Sequence, residues 1–195
     1  MYATTRSYAG VPADERKADR RERLLDSGLQ LMGTDGVHQT TVRNVCAEAR
    51  LNPRYFYESF TGIDELLVAV FDRLVDEAAN KVTAVMAHGA DGRDGFVHRV
   101  IEAFVESTTA DPRVARVLYL ESYASEALHP RRFATARHFA YLVAATPEDR
   151  LRAEFAAGGL VQLIVGMVSG SLPLTRAELI HRCTELTVAT MRVRT

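Results

Sequence analysis

Residues 51–60 read LNPRYFYESF, which places four aromatics and an arginine in one short helical stretch of a chain without tryptophan. Asn52 followed by Pro53 is a helix start: an N-cap side chain, then a proline whose missing N–H has no helical partner to lose. At 100° per residue, Phe56 and Phe60 share the inward face, and Leu51 closes that face from the turn before it. Tyr55 and Ser59 form one outward ridge, Arg54 and Glu58 form another, and Tyr57 lies beside them. The aromatics are therefore split, with two phenylalanines directed to a core and two tyrosines away from it.

Working outward, TTVRNVCAEA (40–49) reads as a short second helix capped by Thr40, with Val42, Val45, Cys46 and Ala49 inward. Only Arg50-Leu51 separates it from the third helix, which is helix-turn-helix spacing. A first helix is expected from about Asp14 to Gly33, with Leu24, Leu25, Gly28, Leu29 and Met32 on one face. Thr34-Asp35-Gly36 closes it, glycine supplying the positive φ that helix exits favour. These three helices make a compact unit over 14–61, preceded by a flexible arm, 1–13. Thr61 is expected to cap the fourth helix with Asp64 as the acid of a capping box. That helix carries Leu66, Leu67, Val70, Phe71, Leu74, Val75, Val82 and Val85.

After a loop at 88–94, helices are expected over 94–109, from Asp111-Pro112, over 130–145, from Thr146-Pro147 to 171, and over 175–192. The last opens with a capping box, Thr175 and Glu178. No sustained period-two pattern occurs, so no sheet is expected. The reading is an all-α fold of about nine helices: an N-terminal tri-helical helix-turn-helix domain and a larger C-terminal helical domain, 62–195.

The bulk composition narrows the classes. A chain of 195 residues, 47% hydrophobic and 25% charged, can bury a full core. A net charge of −1 argues against a general polyanion-coating protein. No apolar run is read as approaching the ~20 residues that span a bilayer, and the N-terminus lacks the apolar centre of a signal peptide. Cys46 and Cys183 have no metal-like spacing, so two buried thiols in a cytoplasmic protein are expected. No metal or cofactor is expected.

Residues 1–60 hold nine basic and eight acidic side chains, a balance of +1. Within 16–23, Arg16, Lys17, Arg20, Arg21 and Arg23 meet only Asp19 and Glu22. Basic density there, with Arg6 in the arm, suits tracking a DNA backbone, and it equally suits a solvated helix face. Exposed tyrosines and an arginine at a helix N-terminus suit phosphate and base-edge contact, or a rim that covers a small domain.

TTVRNVCAEARLNPRYFYESF (40–60) followed by DELL (64–67) resembles the N-terminal domain of the TetR family of bacterial transcriptional repressors. The resemblance covers about residues 20–70. It implies that Thr41 and Arg43 on the second helix and Arg54, Tyr55, Tyr57 and Ser59 on the third face double-stranded DNA. Three departures stand out. Arg50 replaces the glycine usual in the turn, where a side chain resists a left-handed conformation. Ile63 replaces a lysine common at the start of the fourth helix. Arg54 and Tyr55 replace small residues, which points to a different operator.

The segment FAAGGLVQLIVGMVSG (155–170) is apolar nearly all round and must be covered on more than one side. Ala156, Ala157, Gly158, Gly159 and Gly166 allow another helix close. With the final helix, this segment resembles the family's dimer-forming bundle, so a homodimer through 147–171 and 175–192 is expected, the other reading being a buried central helix of a monomer. By the same resemblance the middle helices line a cavity for a small-molecule effector. Glu121, on a stripe with Val114, Val117 and Leu118, either receives a ligand or pairs with an internal arginine, Arg137 being the candidate. Gln162 is the lone polar residue of its apolar run. Phe104, Tyr119, Phe139 and Tyr141 are candidate aromatic walls or ordinary core. His98, Glu102 and Glu106 align at i, i+4, i+8, but the apolar half of that helix lies opposite, so the ridge is read as facing water.

The expected function is a dimeric regulator, a repressor that binds a palindromic operator and is released by a small molecule. The alternatives are an all-helical ligand-binding protein or enzyme, and a regulator controlled by a protein partner. An enzyme would need a phosphate loop, a metal cluster or a nucleophile with its base, and no such signature is present.

Overall fold

In the computed structural model, residues 13–87, 92–144 and 146–192 are described. The expected arm, apart from residue 13, and the first part of the 88–94 loop lie outside them. The described residues form nine helices and no strand when Pro112–Ala124 is taken as one broken helix. These are α1 (Ala13–Thr34), α2 (Val42–Ala49), α3 (Pro53–Tyr57), α4 (Ile63–Ala87) and α5 (Gly92–Thr109). Then come α6 (Pro112–Arg116, a π turn Val117–Glu121, and Ser122–Ala124), α7 (His129–Val143), α8 (Pro147–Val168) and α9 (Arg176–Arg192).

Local chemistry explains where the short helices begin. Asn52 accepts a hydrogen bond from the Arg54 N–H at 2.9 Å, and Pro53 takes the first helical position. The second helix is capped by Thr41 rather than by Thr40. The Thr41 hydroxyl accepts from the Asn44 N–H, and the Asn44 side chain accepts from the Thr41 N–H. Thr40 is buried, its hydroxyl donating to the Gly36 carbonyl, so it is unavailable as a cap. At α4 the acid that reaches back is Glu65, not Asp64: its carboxylate accepts from both the N–H and the hydroxyl of Thr61. At α9 the expected box is present, Glu178 accepting from the Thr175 N–H and hydroxyl. A 3-10 turn, Val37–Gln39, follows the exit of α1.

Leu24, Leu25 and Met32 of α1 meet Val45 and Cys46 of α2, Phe56, Phe60, and Leu66, Leu67 and Val70 of α4, all at most 3% exposed. Phe56 and Phe60 lie with ring centroids 5.7 Å apart. Truncating the wholly buried Phe56 to alanine would cost about 3–5 kcal/mol. The same buried cluster runs on through Ile101, Leu118 and Ile164, because α4 continues past the small unit and packs along α5. Beyond it, α5 packs on α9, α9 on α8 and α8 on α7. On the other side α1 packs against α6, closely enough that a Cβ on Gly33 would stand 2.5 Å from the Cβ of Arg113.

One expectation about α8 needs correction: the 20 residues Asp149–Val168 are long and apolar enough, by length and composition, to cross a membrane. Within one copy α8 leaves part of its surface open: Leu151 and Phe155 are 76% and 73% exposed, and a Cβ on Gly158 or Gly159 would meet nothing within 4 Å. Gly166 is the position where the chain closes in, a Cβ there standing 2.5 Å from Leu172.

Candidate functional site: a helix-turn-helix face and an apolar cavity

The turn between α2 and α3 is built on Arg50 in the left-handed conformation, φ 52° and ψ 46°. The side chain expected to resist this conformation adopts it. The Arg50 N–H closes α2 on the carbonyls of Cys46 and Ala47, and Arg23 of α1 donates to the Ala49 carbonyl at 2.6 Å. A charged donor thus ties the turn to α1 and offsets the backbone cost.

Of the residues expected to face DNA, Arg43, Arg54 and Tyr57 are exposed, Tyr57 at 63%. Tyr57 stands edge-on to the buried Phe56 ring, 5.5 Å between centroids, so its hydroxyl end is aimed outward from a fixed base. Arg54 donates to Glu58 at 3.2 Å. Thr41 is exposed, with its hydroxyl engaged in the α2 cap. Tyr55 and Ser59 are half-buried, and the Arg20 guanidinium sits 4.5 Å over the Tyr55 ring. The outward ridge of Tyr55 and Ser59 therefore leans on α1, and Arg43, Arg54 and Tyr57 make the open face. Arg20, which also pairs with Glu58 at 3.6 Å, connects the basic start of α1 to that face.

The second feature is a cavity of about 650 Å³ among α4–α9. Its buried wall is apolar: Phe71, Ala78 and Val82 of α4, Ile101 of α5, and Leu118 of α6. Phe104 and Phe139 pack edge to face inside it, 4.7 Å between centroids. Tyr119 also lines it; its hydroxyl donates to Thr108 at 2.9 Å, and Thr108 donates to the Phe104 carbonyl. Burial raises the Tyr119 phenol well above its ordinary range, so it stays neutral and a donor. Burial likewise pushes up the thiols of Cys46 and Cys183. Among the described residues no group of three or more His, Cys, Asp and Glu is placed to hold a metal.

Four of the six expected ligand residues line this cavity: Phe104, Tyr119, Phe139 and Gln162. Tyr141 does not; it is exposed, under Arg150, and hydrogen-bonded to Glu154, which raises its pKa. Glu121 does not either. It is buried on the opposite side of α6, where its carboxylate accepts from the Arg116 guanidinium at 2.8 Å and the Val37 N–H at 2.9 Å. Its partner is thus Arg116 rather than Arg137. Arg116 also donates to the Thr34 carbonyl at 2.8 Å, so the pair fastens α6 to the exit of α1. Gly36, at φ +92°, is needed there twice over, since a Cβ would meet Arg116 at 2.8 Å. His98 is half-buried, 3.3 Å from the Thr184 hydroxyl, and so leans on α9, whereas Glu102 and Glu106 are exposed as expected.

Sequence reasoning missed the charged lining of Arg93, Arg132, Asp149 and Glu154, and read Arg137 only as an internal partner for Glu121. A stripe on α7 at i, i+4 and i+8, Arg132, Ala136 and Ala140, could have signalled it, but α7 has no clean apolar face to orient the wheel.

The architecture is thus a helix-turn-helix protein whose second helical unit encloses an apolar cavity. Residues 24–70 match the family described as bacterial regulatory proteins, tetR family. The nicotine-responsive transcriptional repressor HdnoR of Paenarthrobacter nicotinovorans is 28% identical over 93 residues, 48% of this chain and 47% of that protein. The chain thus matches about half the length of that relative. An uncharacterized HTH-type transcriptional regulator of Haemophilus influenzae is 26% identical over 180 residues, 87% of this chain and 85% of the relative. Among solved structures, the multidrug binding protein EbrR superposes with a TM-score of 0.72 at 20% identity, over 90% of this chain and 97% of that one. The fatty acid degradation regulator FadR from Bacillus halodurans gives 0.71 at 18% identity, over 90% and 97%. Residues 24–70 thus match the tetR-family DNA-binding region, and the relatives named here are transcription regulators.

Proposed function

We propose that this protein is a cytoplasmic repressor that binds a palindromic operator as a homodimer and lets go of it when a small molecule fills the cavity. The observation that carries the reading is the open face of Arg43, Arg54 and Tyr57, set on a helix anchored by Phe56 and Phe60 and joined to the basic start of α1 through Arg20. Arginine on such a face suits base edges and phosphates, and Tyr57 adds a rigid hydroxyl. One such head reads a half-site, and a two-fold pair reads a palindrome. The exposed apolar side chains Leu151 and Phe155 of α8, which also carries the open glycines, and the exposed Leu186 of α9 support pairing of α8 and α9 with a second copy. A domain boundary near 61/62, at the start of α4, fits this division of labour.

Coupling between the two units has two routes. Phe71, Val75, Ala78 and Val82 line the cavity on the same helix whose first turns support α1 and α3. Leu118 and Tyr119 line it within the π turn that ends at Glu121, the residue holding Val37. An effector acts only if it binds one arrangement of these helices more tightly than the other.

The test is selection of bound sequences from a pool of random DNA duplexes. Enrichment of an inverted repeat, abolished by Arg54→Ala, is the expected result. An unenriched pool, or enrichment indifferent to Arg54, would refute the reading.

A further inference from the structure

We propose that the cavity takes an amphipathic anion, its negative headgroup at Arg132 and Arg137 and its apolar body against the aromatic wall; this rests on the cavity being the effector site. The lining divides by burial. The lining residues on the buried side, Phe71, Val82, Ile101 and Leu118 among them, offer no charge. The hydroxyls there, Thr108 and Tyr119, satisfy each other and the Phe104 carbonyl, so a polar ligand atom gains little by going in. All five charged lining residues are half-buried or exposed: three arginines against two acids, a balance of +1.

What decides the sign of the ligand is which of these charges are already engaged. Asp149 is: it has Arg93 at 3.9 Å and Arg152 at 3.7 Å, and the Thr146 hydroxyl donates to it at 2.8 Å. Glu154 is held only by the neutral Tyr141 phenol. Among the described residues, two of the arginines have no acid against them. Arg132 stacks 4.1 Å over the Tyr123 ring, donates to the Ser122 carbonyl and lies beside His129, all neutral or basic partners. Arg137 makes no ion pair among the described residues. Arg132 is thus positioned by neutral groups with its charge unanswered, in the way an anion-binding guanidinium is held before its ligand arrives. A ligand cation would meet one ion-paired acid, one acid held by a neutral phenol and two arginines without an ion pair, so the balance of +1 favours an anion. A cavity of about 650 Å³ lies within the range of small-molecule sites.

The test uses the full chain with Phe104→Trp. With no other tryptophan in the sequence, that residue reports occupation of the cavity by its fluorescence. Dodecanoate, dodecanol and dodecyltrimethylammonium, each below its micelle concentration, share a tail and differ in head charge. The expected result is dodecanoate binding ~tenfold or more tighter than either of the others. Arg137→Gln should remove a large part of that preference, and Arg132→Gln with Arg137→Gln nearly all of it. Arg137 is exposed, so the single variant keeps the test valid if the double one fails to fold. Tryptophan-reported binding of the alcohol or the ammonium as tight as the carboxylate would overturn the anion assignment and leave the cavity a ligand site. No fluorescence response to any of the three would overturn both.

Discussion

The Glu121 carboxylate accepts a hydrogen bond from the main-chain N–H of Val37 at 2.9 Å, joining positions 84 residues apart. Arg116 completes the junction by donating to Glu121 and to the Thr34 carbonyl. Both ends of the cavity-lining π turn, Val117–Glu121, therefore abut groups that hold the exit of α1. Glu121→Ala strips the Val37 amide of its acceptor and leaves the Arg116 charge unanswered. The expected loss is about 1–3 kcal/mol of stability, read from urea unfolding, as for other partly buried charged hydrogen bonds. Ligand affinity should change less than the ligand's effect on DNA affinity. A Glu121→Ala variant as stable and as responsive as the parent would remove the junction from the account.

Arg50 stands in a conformation that disfavours any residue with a Cβ. Its side chain is exposed, whereas its carbonyl and that of Ala49 are the groups that Arg23 contacts. Arg50→Gly therefore keeps the turn's hydrogen bonds and relieves the strain. Glycine's extra freedom in the unfolded chain offsets part of the gain, leaving up to about 1 kcal/mol of added stability. Calorimetry should show a higher Tm; a lower one would mean that the arginine side chain itself holds the turn.

How far these features are readable in the sequence differs with range. Asn52, Pro53, Thr175 and Glu178 announce their helices because a cap is satisfied within three or four residues. Helical spacing alone directs Phe56 and Phe60 to the core, and they are there. Thr40 and Thr41 look alike in sequence; only the Gly36 carbonyl, which takes the Thr40 hydroxyl, decides that Thr41 caps. Spacing also directs Glu121 inward, correctly, but its partners are set by how α6 crosses α1, which no periodicity reveals. The π turn adds to that difficulty, since it shifts the helical wheel within α6 away from the 3.6-residue period by which the sequence is read. For α7, arginines and alanines alternate with aromatics, so the side facing the cavity has no apolar stripe to mark it.

The pH dependence of α9 follows from its cap. Glu178 accepts from the Thr175 N–H first and its hydroxyl second, and both hold the carboxyl below its ordinary value of 4.5. A depressed folded pKa means that the cap's stabilisation is present above the unfolded pKa and is lost as pH falls through the folded one. The urea midpoint of the parent should exceed that of Glu178→Ala at pH 7, and the gap should narrow as pH falls below the ordinary value of 4.5. A gap that does not narrow on acidification would show that the charge of Glu178 is not what caps the helix.

Phe155 is 73% exposed on a strip with Leu151, and its own chain buries little of it. Phe155→Glu should leave the fold of one copy intact and put two like charges near the two-fold axis of the proposed dimer. Sedimentation velocity should then show monomer where the parent is dimer, with self-association weakened at least ~tenfold. A parent that sediments as a monomer, or a variant that dimerises equally well, would count against pairing through α8.

The most direct measurement is fluorescence anisotropy of the full chain on labelled duplex from upstream of its own gene, beside random duplex, across a salt series. Arg54→Ala and Tyr57→Ala are run in parallel. Saturable binding that is far tighter on the upstream duplex, weakens steeply with salt and is lost in both variants is the predicted result. Equal binding to both duplexes, untouched by either substitution, would contradict the claim that α3 reads DNA.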